Sequence, residues 1–314
     1  MRQLIIDTDT ASDDAVALVM ALRHADVQVE AITIVAGNVP LVQGVQNALY
    51  IVERCGKRVP VYAGRPAPLL RPLETAQYVH GQDGMGDIGL LLHGRAPAPG
   101  HAVDVLVERI DRSPGTITLV ALGPLTNIAL ALLREPSIAQ KVARCVIMGG
   151  TSDGYGNITP VAEYNIWTDP EAARIVFDSG MPITMVGWDI SRTYAVFDPD
   201  DTAMLRALDT PLAHLCVDIQ AKLQHWTREE TRLAGFDLPD PIAMAVALDP
   251  AVATRTTCVP VIVEIGDGLC RGQTVLDHRN VTRRQHTAEV VLVADRSRFV
   301  ALLTQALSPD RGAR

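Results

Sequence analysis

The feature that most limits what this chain can fold into is a regular alternation of strand-like and helix-like segments. Residues 3–7 (QLIID) are a short apolar run ending in a carboxylate, and residues 13–24 (DDAVALVMALRH) then carry apolar side chains at helical spacing. Strand patterns recur at 29–36, 59–62, 116–122, 143–148 and 183–187, with helical patterns at 42–55, 101–112, 124–134 and 169–179. This rhythm predicts an α/β fold: an open, mainly parallel (mixed) sheet with helices on both faces, Rossmann-like in organisation. Two stretches break it. Residues 63–100 are rich in Gly, Pro and His and read as a long functional loop, whereas 198–236 read as mostly helical, with a helix over 210–234. Strand-like pieces return at 259–265, 269–276 and 288–293, before a final helix at 296–307. With no internal repeat, low-complexity tract or linker, residues 1–314 are read as a single domain.

Composition excludes several function classes. A chain of 314 residues that is 48% hydrophobic and 20% charged has enough apolar material for a full core, and disorder is excluded. The net charge of -8 offers no broad basic footprint, so nucleic acid is not an expected partner. Only Lys57, Lys141 and Lys222 are lysines and no G-x-x-x-x-G-K-[ST] loop exists, which removes P-loop chemistry. The five cysteines are odd in number, far apart and without a C-x-x-C pair, so most of them read as small core residues in a reducing compartment. The N-terminus has no long apolar segment, and no apolar run approaches the ~18 residues of a membrane span. The expectation is a cytoplasmic protein with no membrane partner.

Ligands of open parallel sheets bind at the carboxyl ends of the strands. The polar residues gather at those ends: Asp7 and Asp9 after the first strand, Asn38 after the second, Gly123 after the fourth, Gly149 and Gly150 after the fifth, Asp189 after the sixth. Residues 7–14 read Asp-Thr-Asp-Thr-Ala-Ser-Asp-Asp, four carboxylates within eight residues at a strand-to-helix turn. Helix capping by Ser12 or Asp13 accounts for one or two of them, not four. Something positive must offset the rest, and hard oxygen ligands with no Cys or His nearby point to Ca²⁺ or Mg²⁺. An EF-hand loop starting at Asp7 is excluded, because its sixth and twelfth positions are Ser12 and Leu18 rather than Gly and Glu. A haloacid-dehalogenase-type phosphohydrolase also places D-x-D-x-T after its first strand. Asp7 to Ala11 nearly matches, but that motif does not call for Asp13 and Asp14, and no convincing later acidic motif of that type follows.

The run IIDTDTASDDAVAL resembles the signature of the inosine-uridine preferring nucleoside hydrolases. The resemblance continues through AITIVAGNV (31–39), HGQDGMG (80–86), ITLVALGPLTNIA (117–129), VIMGG (146–150), GNITPVAEYNIWTDPEAA (156–173) and PDPIAMAVALDP (239–250). Six further blocks in order make the match specific over roughly residues 1–250. It implies hydrolysis of the N-glycosidic bond of ribonucleosides, through an oxocarbenium-like transition state, in purine or pyrimidine salvage. It also implies one Ca²⁺ held by Asp9, Asp14, Asp240 and the Leu122 carbonyl, with Asp9 deprotonating the metal-bound water, no organic cofactor, and a homodimer or homotetramer. By the same resemblance Asp13 and Asn38 meet the 2′-hydroxyl, and Asp240 and calcium the 3′ side. Asn157, Glu163 and Asn165 hold the 3′- and 5′-hydroxyls, and Met148 lies against the sugar.

One departure stands out. Many members of the family carry His immediately before the aspartate matching Asp240, where it protonates the leaving base; here that position is Pro239, which has no proton to give. Candidates for the base side are His80, Asp83, Tyr155, His225 and Trp226, whereas Trp167 and Trp188 read as structural. The same departure leaves open a hydrolase of an unusual or modified N-riboside, and a non-catalytic calcium-dependent nucleoside-binding protein.

Overall fold

The computed structural model describes residues 1–230, 233–285 and 287–309, and all statements below concern these. The sheet strands are β1 (Arg2–Thr8), β2 (Val27–Ile34), β3 (Val61–Ala63), β4 (Ile117–Ala121), β5 (Arg144–Met148) and β6 (Ile183–Val186), followed by Ala288–Ala294 and Ala253–Val259. Their spatial order is β3-β2-β1-β4-β5-β6, then Ala288–Ala294, then Ala253–Val259. Every pairing is parallel except that between the last two strands, so the sheet is mixed, as expected.

The central strands are buried on both faces, which is why they read as continuous apolar runs. One face is covered by helices Ser12–Arg23, Pro239–Leu248 and Arg296–Leu307, through Leu18, Val246 and Leu303 among others. The other is covered by Ala102–Arg112, Thr126–Arg134 and Pro170–Phe177, through Leu106, Ile128 and Val176. Helix Pro239–Leu248 is buried all round apart from Pro239, as the unbroken apolar run after Asp240 requires. No described helix is long and apolar enough to cross a membrane.

Strand order reverses between β1 and β4, so the crevice beyond their carboxyl ends is the topological switch point where ligands bind in such sheets. Register places Asp7 beside Thr33 on one side and Ala121 on the other. The segments that follow β1, β2 and β4 therefore converge there.

Several boundaries differ from the sequence reading. The 169–179 helix is preceded by a separate turn, Tyr164–Thr168, because Asp169 leaves the helical region and caps the next helix with its own side chain. The 210–234 helix is two, Pro211–Asp218 and Ala221–Glu230, and positions 231–232 lie outside the described residues. The strand read at 259–265 is cut by Pro260. Its first part belongs to Ala253–Val259, an edge strand whose exposed Thr254, Arg255 and Cys258 give no apolar signal.

Candidate active site

The chain leaves β1 through a tight turn in which Thr10 adopts a positive φ of 39°. Asn47 holds the turn by donating from Nδ2 to the Thr10 carbonyl at 2.9 Å. Asp13 and Asp14 then fall in the first turn of helix Ser12–Arg23, where the helix dipole favours negative charge. Asp240 enters from the first turn of helix Pro239–Leu248. Carboxylate oxygens of Asp13, Asp14 and Asp240 lie within 4.8 Å of one another. Asp14 accepts the Thr8 hydroxyl on Oδ1 and the Ala11 N–H on Oδ2 at 2.8 Å.

Asp9 is fully buried next to this trio. Its Oδ2 accepts the Asn38 N–H at 2.5 Å, and its Oδ1 has no partner. The loops after β2 and β4 close on it so tightly that they need glycine. A Cβ on Gly37 would lie 2.1 Å from Asp9 Oδ2, and one on Gly123 would lie 3.0 Å from Oδ1.

The electrostatics call for a cation. Burial, then the charge of Asp14, pushes Asp9 and Asp240 well above the usual carboxylate range. Burial, then Asp13, raises Asp14 to about 7. Among the described residues no Lys or Arg pairs with any of the four, and Asp9 Oδ1 and Asp13 Oδ1 are buried without hydrogen bonds. Oxygen-only donors in this spacing fit Ca²⁺, since two ligands at about 2.4 Å from one ion are at most about 4.8 Å apart. The trio that geometry brings together includes Asp13, whereas the resemblance placed Asp9 in the ligand set; Asp9 flanks the trio with its unpartnered oxygen. Leu122, also expected as a ligand, offers its carbonyl to Asn165 Nδ2 at 2.8 Å and keeps a second lone pair.

These shifts set a stability expectation. Asp14, Asp7 and Glu163 are each raised to about 7, chiefly by burial, so the folded chain binds protons that the unfolded chain has already lost. Without a cation, stability therefore falls as pH rises from the ordinary carboxylate range through about 7, and recovers as pH falls. In chelator, the melting temperature is expected to be higher at pH 6 than at pH 8, with added calcium closing the gap by restoring pH 8 stability. A chelated protein whose melting temperature is flat over this interval contradicts the burial argument.

Above the carboxylates opens a cleft of about 680 Å³ including its mouth, a size suited to a small molecule. Asp13, Asn38, Leu122, Met148, Asn157, Glu163, Asn165 and Asp240 line its inner end, so the structure brings the expected sugar residues together. Asn165 Nδ2 also lies 3.3 Å from the Met148 carbonyl, and its Oδ1 is buried without a partner. Asn157 Oδ1 accepts the Tyr164 N–H at 2.9 Å, which leaves its NH₂ for a ligand. Glu163 caps the Tyr164–Thr168 turn and accepts from the N–H groups of Gly150, Asn165 and Ile166.

The outer end separates the base-side candidates. His80 is buried in the pocket rather than solvated; Nδ1 lies 3.0 Å from Ser12 Oγ and 3.7 Å from Asp13 Oδ1. Burial lowers its pKa, against the pull of Asp13. Trp226 also lines the pocket and meets Tyr78 edge-to-face at 6.5 Å. Asp83, Tyr155 and His225 do not line it. Asp83 is spent on its own loop, accepting the N–H groups of Met85 and Asp87. Tyr155 is 64% exposed and lies against Arg192. His225 is exposed beside Glu229, since one residue along a helix is about 100° away from Trp226.

Among the pocket residues that escaped the sequence reading, three carry chemistry nearest the base-side candidates. Tyr78 stands two positions before His80, in the same loop. Trp188, read as structural, lines the pocket and donates from Nε1 to Asp237 Oδ2 at 2.9 Å. Asp237 lines it too, three positions before Asp240, and no motif announced it. Trp167 is structural as read, with the Arg271 guanidinium 4.0 Å over its ring.

Comparison with known proteins supplies the family. The sequence profile of the inosine-uridine preferring nucleoside hydrolases matches residues 4–301. The pyrimidine-specific ribonucleoside hydrolase RihB of Escherichia coli (strain SE11) is 36% identical over 307 residues, covering 98% of this chain and 97% of its own. Among solved structures, a plant nucleoside hydrolase, the PpNRh1 enzyme, superposes with a TM-score of 0.93 at 34% identity, covering 98% of this chain and 99% of its own. A purine-preferring ribonucleoside hydrolase from Gardnerella vaginalis superposes at 0.90 and 31% identity, covering 98% of both chains. With a family match across nearly the whole chain, and with the fold and pocket in agreement, the protein belongs to the inosine-uridine preferring nucleoside hydrolase family and is an N-glycosyl hydrolase of ribonucleosides.

Proposed function

We propose that the chain cleaves ribonucleosides to free base and ribose at a calcium site formed by Asp9, Asp14, Asp240 and the Leu122 carbonyl, with Asp13 in reach. The observation that carries this reading is one cleft that joins a buried nest of carboxylates, a polar wall and an aromatic mouth. Bound there, a dication would offset the carboxylate charge and acidify water.

The chain's own residues supply the rest. Asp9 takes a proton from the attacking water on Oδ1, the oxygen left without a partner. Asp13 and Asn38 hold the 2′-hydroxyl, and Asp240 the 3′ side. Asn157, Glu163 and Asn165 orient the 3′- and 5′-hydroxyls, with Met148 under the sugar. As the C1′–N bond breaks, positive charge grows on the ribose. The buried carboxylates that line the cleft suit that charge, so they favour the transition state over the substrate. His80, Tyr78 and Trp226 face the base. A homodimer or homotetramer and a cytoplasmic salvage role accompany this reading.

The relatives include a pyrimidine-specific and a purine-preferring enzyme at similar identity. Base choice therefore rests with the mouth residues, and Pro239 favours a base other than the family's usual ones as a second reading. The test is a panel of purine, pyrimidine and modified ribonucleosides, with base and ribose quantified by chromatography. Equimolar base and ribose from at least one member is the expected result. No turnover of any member by the calcium-loaded protein would refute it.

A further inference from the structure

We infer that Asp237 is the carboxyl that meets the departing nucleobase and passes it a proton, taking the place left empty by Pro239. This deepens the hydrolase reading and rests on it.

Asp237 belongs to a two-residue strand, Phe236–Asp237, paired antiparallel with Val196–Phe197. The stacked rings of Phe197 and Phe236, 6.1 Å apart, anchor that strand in the core. The Asp237 side chain is 6% exposed, and what it faces is the cleft, beside Trp188, Trp226 and Pro239. Its Oδ2 accepts two hydrogen bonds, from Trp188 Nε1 at 2.9 Å and from Ser191 Oγ at 2.6 Å. Both donors lie on helix Trp188–Tyr194, three residues apart and so on one face. Among the described residues no other side chain donates to this carboxyl and no Lys or Arg pairs with it. Burying a carboxyl without a cation is costly, so its presence in the pocket wall calls for a function.

The arrangement orients the acid. Two donors fix Oδ2 as an acceptor, so the proton of the neutral carboxyl resides on Oδ1, the oxygen left for the ligand. Burial raises the carboxyl above its ordinary range, against those two hydrogen bonds, with the charge of Asp13 adding to the rise. The rival donor is His80, but its Nδ1 is engaged by Ser12 and lies 3.7 Å from Asp13 Oδ1, which leaves only its second ring nitrogen for the base.

The step balances. The Oδ1 proton moves to a ring nitrogen or carbonyl oxygen of the base as the C1′–N bond breaks, its electron pair leaving with the base. Asp237 becomes a carboxylate, stabilised by Trp188 and Ser191. Water adds its hydroxyl to C1′ and gives its remaining proton to Asp9; Asp9 then releases that proton to solvent, and solvent returns one to Asp237. The sum is nucleoside plus water to neutral base plus ribose.

The experiment compares kcat/KM of the calcium-loaded protein on its best ribonucleoside and on p-nitrophenyl riboside, whose leaving group needs little protonation. Asp237→Asn is expected to lose about 10²–10⁴ on the nucleoside and less than about tenfold on the nitrophenyl substrate. Trp188→Phe keeps the carboxyl but removes one donor from its conjugate base, so a smaller loss with the same substrate dependence is expected. Equal losses on both substrates, or a near-unchanged nucleoside rate in Asp237→Asn, would overturn the inference. His80→Ala showing the selective loss instead would assign the proton to His80 and overturn it as well. A wild-type protein that cleaves neither substrate would overturn the hydrolase reading itself, a distinct outcome.

Discussion

Asp9→Ala is expected to lower kcat/KM by about 10²–10⁴, the usual range for removing a general base, with further loss if metal affinity also falls. The expectation comes from its oxygens. Oδ2 is committed to the Asn38 N–H, and Oδ1 is buried with no partner. A carboxylate in that state is kept for a ligand or a proton, because folding alone gains nothing from it. Asp14→Ala is expected to abolish turnover differently, through lost metal, since Asp14 sits within the trio whose oxygens approach to 4.8 Å. Metal content measured by mass spectrometry beside single-turnover rates separates the two: Asp9→Ala retains more of its calcium per chain than Asp14→Ala. Chelation of the unaltered protein should remove activity, and added calcium should restore it. A purified, fully active protein holding no divalent metal would refute the metal assignment.

Discrimination between sugars is the second large effect. In the proposed reading Asp13, Asn38 and the cation site meet one corner of the ribose, and both side chains line the cleft almost entirely buried. A 2′-deoxynucleoside leaves them without their partner. Sites built to hydrogen-bond a hydroxyl reject the analogue lacking it by up to about 10⁴–10⁵, because their own polar groups remain unpaired. A ribonucleoside is therefore expected to be cleaved at least roughly a hundredfold more efficiently than its 2′-deoxy form, a conservative floor under that range. Asn38→Ala should narrow the gap by slowing the ribonucleoside far more than the deoxynucleoside. Because the Asn38 backbone N–H, not its side chain, holds Asp9, the substitution leaves the proposed base in place. Similar kcat/KM for both sugars in the unaltered protein would show that Asp13 and Asn38 do not read the 2′-hydroxyl, even with hydrolysis intact.

Much of the fold was legible in the chain because the central strands are covered on both faces. Continuous burial leaves continuous apolar runs, and the intervening helices carry a helical period; together these mark an α/β sheet. The edge strand Ala253–Val259 was not legible, since its exposed polar residues carry no such signal. The same holds for the break between helices Pro211–Asp218 and Ala221–Glu230, where the helical pattern runs on across the gap.

For the site, the order of the chain determined that carboxylates cluster at the end of the first strand, that an oxygen-ligated cation suits them, and that Pro239 removes a proton donor. Those are local facts: adjacent residues at a strand end must share a space, and a residue type either has a proton or lacks one. Which base-side residues face the ligand was decided only by tertiary structure. His225 and Trp226 are neighbours in sequence, yet one helical step turns the first to solvent and the second into the cleft. Asp237 reads as an ordinary acidic residue until the strand Phe236–Asp237 packs it against the helix that begins at Trp188. A side chain's direction depends on what its element packs against, and those partners lie far away along the chain.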